Sequence, residues 1–310
     1  MTSSDPMPLP SLPGDNPLGF LAALGVQVAL SDHDAGHRLH WTDDPIPHPV
    51  LSPARGLDEI AQAVKSAANA WLDGPALAKS IDPGLKLDPG LKLKPDEIRQ
   101  YLSRGRAARS SGSLSACLLA ENSLDNNGKA KPSDLYFTAG QQKFVSMARK
   151  ILSEVTEEEI VDDMKKPWSY QSKRESLMWD CVDDRDHALS AADPTDNSRN
   201  PKLTNPGAEA LAVLGLSRYP CFASSQGTLT QGCSGSWKRG LFVWPVWTVP
   251  ATARAVRSLL AQVAAPEGNE RRAGWYRAWG ISRVMQSQIR RSSQGGYGTF
   301  GPPRVVWQRD

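Results

Sequence analysis

The chain has 310 residues, 40% of them apolar and 22% charged, with a mean hydropathy of −0.42. That composition suits a soluble protein with a core of its own, and no run of 18 apolar residues is present to span a membrane. Four cysteines, at 117, 181, 221 and 233 and without a C-x-x-C pair, give neither a disulfide framework nor a zinc finger, so a reduced cytoplasm is expected.

Charge is uneven. The net charge is only +3, but from Lys238 to Asp310 there are 12 Lys and Arg against 3 Asp and Glu, a net +9. Acids concentrate between Glu154 and Asp196. A basic end on a nearly neutral chain suits a polyanion, or an acidic segment of the same chain or of a neighbour.

Residues 1–14 are Pro- and Ser-rich, lack the basic and apolar regions of a signal peptide, and read as a disordered tail. Asn16-Pro17 then opens a helix whose apolar residues run nearly all round, so it is expected to be buried. Pro45, Pro47 and Pro49 cut Leu39–Leu51 into short edge strands or turns. Leu57–Leu72 has helical spacing at Ile60, Val64, Ala68 and Trp71. A duplicated Asp-Pro-Gly-Leu-Lys-Leu unit from Asp82 to Leu93 reads as surface turns. Helices follow over Asp96–Ala108, Gln141–Val155 and, behind Thr156, Glu157–Met164. The polar stretch Asn122–Pro132 is the expected internal break. It separates an N-terminal subdomain (15–130) from a C-terminal one (131–310) that ends basic and Trp-rich.

Asn205-Pro206 opens a second buried helix whose Leu-Ala-x-Leu-Gly core echoes that of the first. Ser224–Ser236 reads as a flexible loop, Leu241–Thr248 as a Trp-rich strand, and Ala251–Ala264 as an amphipathic helix with Arg254 and Arg257 outside. Ile281–Arg291 reads as a strand, then come a Gly-rich turn (Gly295–Gly301) and a last strand, Arg304–Trp307. The fold class expected is mixed α+β, with helices and short antiparallel sheets.

Catalytic signatures are weak. His33 and His37 have metal-ligand spacing but sit by a turn without the intervening Glu of a metalloprotease, so ordinary surface histidines are expected, with no metal and no cofactor. No phosphate-binding loop and no G-x-S-x-G occur. Asp183, Asp184, Asp186 and Asp193 could hold a divalent cation for nuclease chemistry. The six tryptophans from Trp237 to Trp307 lie among Lys and Arg, the pairing that stacks bases while cations hold phosphates; core packing is the competing reading, favoured for Trp244 and Trp247. The expected phosphate contacts are Lys238, Arg239, Arg283, Arg290 and Arg291.

Several blocks share an order with one family: Asn16–Gly25, Ala139-Gly140-Gln141-Gln142, Asp186–Pro194, Pro206–Leu216 and Leu241–Trp247. In that order and spacing they resemble the CRISPR-associated proteins of type I-G (formerly I-U) systems, described as large-subunit-like or as a helicase-nuclease extension family. The resemblance implies a non-catalytic subunit of an RNA-guided antiviral surveillance complex (Cascade) in a prokaryotic cytoplasm. Its partners would be guide RNA (crRNA), target DNA, other Cascade subunits and a helicase-nuclease. It carries no catalytic residues over and gives no role to Gln141, Gln142 or the Asp186–Pro194 block. The readings set against it are a protein-only adaptor working through the acidic 154–196 segment, and a metal-dependent nuclease on Asp183, Asp186 and Asp193.

Overall fold

The computed structural model describes residues 5–31, 36–82, 85–108, 112–138, 142–181, 203–225, 227–237, 239–263, 270–292 and 297–309. The acidic block from Asp183 to Pro194, the Ala139-Gly140-Gln141 triplet, His33 and Lys238 lie outside them.

Nine helices occur among the described residues: α1 (Pro17–Ser31), α2 (Leu57–Leu72), α3 (Pro95–Ala107), α4 (Gly112–Leu118), α5 (Phe144–Glu154), α6 (Glu157–Lys165), α7 (Pro206–Gly215), α8 (Ala253–Gln262) and α9 (Glu270–Ala278). The strands form four antiparallel sheets. One orders β1 (Met7–Pro8), β3 (Pro49–Ser52), β2 (Arg38–Trp41) and β10 (Ala251–Thr252). Two are hairpins, β4 (Ser80–Asp82) with β5 (Leu85–Lys86) and β6 (Cys221–Ser224) with β7 (Gly227–Thr230). The largest runs β12 (Gly298–Phe300), β11 (Ile281–Arg291), β9 (Arg239–Trp247), β8 (Cys233–Ser236), with β13 (Arg304–Gln308) also on β11. The protein is thus mixed α+β.

The helix starts follow their caps. The Asn16 side chain accepts from the Leu18 amide at 2.9 Å, and the Thr156 hydroxyl accepts from the Glu159 amide while Glu159 reaches back to the Thr156 amide. The all-apolar circumference of α1 is answered by burial of 14 consecutive residues, Pro17 to Leu30.

The main packing event is α1 against α7. It explains the sequence echo, which is more than shared capping. A Cβ on Gly25 would overlap the Leu211 carbonyl, and one on Gly215 would overlap the Leu21 carbonyl. Each helix therefore lends its glycine to the other's leucine backbone in a reciprocal close approach. One apolar core cluster includes α1 and α2 with α5, α7, β9 and β11, so buried packing runs continuously past residues 122–132. Those residues form a turn closed by a Leu124–Ala130 bridge rather than a boundary between two cores.

Four further expectations are corrected. Residues 5–14 are not a disordered tail: β1 pairs with β3, Leu9 and Leu12 are fully buried, and the Gly14 carbonyl accepts the Trp244 indole N–H at 2.8 Å. Proline there removes donors without removing apolar surface to bury. The duplicated 82–93 unit is more than surface turns, since Leu87, Leu91 and Leu93 are buried. The 224–236 stretch forms the end of β6, then β7 and β8, because Thr228 and Thr230 point inward and bond Ser123 and Ser133. Part of the Gly-rich C-terminal turn is likewise strand β12.

Candidate nucleic-acid interface

Each proposed phosphate contact can be followed from its strand. β9 and β11 pair from Ile281–Trp247 to Ile289–Gly240. β11 is covered on both faces, with seven successive buried residues from Ile281 to Ser287. Strand alternation therefore does not send a fixed half of its side chains to water.

Arg283 is 8% exposed. Its guanidinium donates to the Pro45 carbonyl at 2.9 Å and to the Asp43 carbonyl at 3.2 Å, which latches β11 to the β2–β3 connection. Arg291 donates to the Tyr136 carbonyl at 3.0 Å and the Asp134 carbonyl at 2.6 Å. Its guanidinium carbon lies 3.6 Å from the centroid of the Trp237 ring and 5.4 Å from that of Phe137. Burial pulls the Arg291 pKa down to about 10, with Asp134 opposing, so the group stays charged at neutral pH. Both arginines are thus structural cations: their fork of donors closes loops onto the sheet. They are withdrawn from the phosphate set, and Lys238 lies outside the described residues.

Arg239 and Arg290 remain. Arg239 opens β9 and is exposed. Arg290 follows Ile289, whose partner across the ladder is Gly240, so the two arginines lie at the same end of the β9–β11 pair. Arg290 is half-buried and packs beside Gly301. Sequence reasoning passed over Arg304, exposed at the start of β13, whose guanidinium donates to the Gln286 side chain at 3.0–3.2 Å. Its terminal position on a short strand was a signal that it faces water.

The tryptophans divide into two groups. Trp244 and Trp247 are fully buried, their indole N–H groups bonded to the Gly14 and Leu39 carbonyls. Phe20 and Trp41 form an aromatic cluster with them, Trp41 edge-on to Trp247 at 6.0 Å. Trp275 on α9 and Trp279 in the turn just after it are 45% and 37% exposed, with rings 6.2 Å apart and inclined at 27°. α9 is held by Tyr276, buried edge-on against Trp307 at 5.2 Å.

Three of the four cysteines are muted. Burial raises the pKa of Cys117, Cys221 and Cys233, that of Cys221 to about 12, so these thiols are neutral at pH 7. Among the described residues no three His, Cys, Asp or Glu side chains gather as metal ligands, and no helix is long and apolar enough to cross a membrane. The chain matches no family model and no curated protein.

Proposed function

We propose that the protein is a non-catalytic, nucleic-acid-associated subunit of an RNA-guided assembly of the type I-G CRISPR kind, which contacts the backbone of guide RNA or target DNA. The observation that carries the reading is the placement of cations in the basic third of the chain: Arg239, Arg254, Arg257, Arg277 and Arg304 are exposed. Only three carboxylate residues occur in the sequence from Lys238 onward, so this part of the chain carries a net positive charge that suits a polyanion. The order of blocks along the sequence, by its resemblance to that family, supports the assembly type. The backbone-holding role is assigned to Arg239 and Arg290 at the end of the β9–β11 pair, with Arg304 on the neighbouring strand. In such assemblies base pairing reads sequence and protein side chains hold the sugar-phosphate strand.

The test is equilibrium binding of the purified chain to labelled single- and double-stranded oligonucleotides at low and physiological salt. Each lost phosphate contact lowers the slope of log affinity against log salt by roughly 0.7–0.9. Arg239→Glu with Arg290→Glu should therefore weaken binding and flatten the slope, whereas unchanged affinity and slope would retire the assignment.

A further inference from the structure

Between α8 and α9 lies a groove of about 790 Å³, lined mainly by Val249, Ser258, Leu259, Gln262, Trp275 and Trp279. Val249, 56% exposed, forms its wall beside Gly280, whose φ of +71° turns the chain from α9 into β11. The turn is pinned by a bond from the Thr248 amide to the Gly280 carbonyl at 2.9 Å, so the wall continues the β9–β11 ladder rather than belonging to a loose loop.

Cations lie one helical turn from the groove's lining residues. Arg254, exposed, stands one turn before Ser258 on α8, and Arg272 stands one turn before Trp275 on α9. Thr252, which caps α8 through the Ala255 amide, lines the groove, so the positive end of that ten-residue helix borders it. None of the lining residues is a carboxylate.

We propose that this groove receives unpaired bases of a single-stranded nucleic acid, stacked on Trp275 and Trp279, with the flanking phosphates held by Arg254 and Arg272. The proposal rests on the nucleic-acid reading above and adds the strand state and the side chains that recognise it. Three observations select this occupant. The volume lies within the roughly 300–1,000 Å³ of pockets for compact ligands, room enough for individual bases. The apolar lining and paired indoles offer faces to π-systems without reading sequence. The cations and helix end offer charge to a polyanion beside those faces, and a duplex keeps its base faces covered.

The experiment compares a labelled oligo-dT with a hairpin duplex of equal charge, at two salt concentrations, for the wild type, Trp275→Ala/Trp279→Ala and Trp275→Phe/Trp279→Phe. The alanine pair should lose roughly tenfold or more of its oligo-dT affinity per ring, and the phenylalanine pair should recover most of it. Duplex affinity and the salt slope should stay near wild type, and oligo-dT should quench tryptophan fluorescence in the wild type more than in the alanine pair. An unchanged circular-dichroism melt shows the variants folded, as exposed rings allow. Unchanged oligo-dT affinity in the alanine pair, or an equal loss on the duplex, overturns the groove assignment alone. A wild type that binds neither polymer overturns both it and the reading beneath it. Capture of an acidic amphipathic peptide that depends on the two tryptophans, with oligo-dT binding intact in the alanine pair, gives the groove to a protein partner instead.

Discussion

Arg291 is enclosed by the Tyr136 and Asp134 carbonyls and the Trp237 ring. Removing it leaves two acceptors and a ring face without their partner, so Arg291→Ala should lower stability by about 2–4 kcal/mol in chemical denaturation. Lysine should rescue little, because one ammonium cannot reproduce the fork and the stack. Asp163 makes a second prediction. It accepts the Ala208 amide at 3.1 Å at the start of α7, yet burial, reinforced by Glu159 and Asp162, raises its pKa from 3.8 to about 6. The folded protein thus keeps a proton that the unfolded chain releases near pH 4, and stability is lost as the pH rises from about 4 to about 6. Because the group is half-buried, the loss should be about 1–3 kcal/mol. Asp163→Asn should flatten that part of the stability–pH curve and melt higher than the wild type at neutral pH. At this scale the sequence was least informative. Arg283 and Arg290 belong to one strand and look alike in a charge count; only the fold shows Arg283 committed to the Pro45 and Asp43 carbonyls and Arg290 half-buried beside Gly301.

Elements were legible where a cap and a period coincided. α2 and β11 span the residues their patterns indicated, and α1, α3, α5, α6, α7 and α8 lie within a few residues of theirs. What periodicity could not convey was which apolar helix meets which. The Leu-Ala-x-Leu-Gly echo held that information, but it takes the reciprocal seating of Gly25 and Gly215 on the Leu211 and Leu21 carbonyls to read it. Alanine at an ordinary helix position improves on glycine by about 0.5–1 kcal/mol. Here the sign should reverse. Gly25→Ala or Gly215→Ala should destabilise by about 3 kcal/mol or more, because the obstacle is backbone and cannot rotate away. Thermal melts of each variant check this, and a gain in stability would refute the close approach. The 224–236 stretch was misread for the complementary reason. Serine and glycine signal loops, but the inward threonines of β7 find hydroxyl partners on residues 123 and 133, a tertiary fact with no local trace.

For the whole molecule the fold class followed from composition and element types, whereas a division near 122–132 did not describe the core. Polar, glycine-bearing stretches mark turns as readily as they mark linkers, and this one lies beside a core drawn from both sides of it. Fragments 1–130 and 131–310 made separately should therefore be insoluble or unfolded by circular dichroism, and limited proteolysis of the intact chain should release no stable half. The candidate groove was half visible: its tryptophans were marked by their basic surroundings, but sorting them from the equally suggestive Trp244 and Trp247 required knowing which rings the core had already taken.

The α1–α7 seam also sets a timetable for synthesis. About 175 residues separate the end of the first helix from the start of its mate. At about 5–20 residues per second, a ribosome needs roughly 10–35 s to make them. Throughout that interval the fifteen-residue first helix lacks its main partner, and only earlier-made neighbours such as Trp41 and α2 can cover part of its apolar surface. Slowing translation between the two helices should therefore lower the yield of native protein.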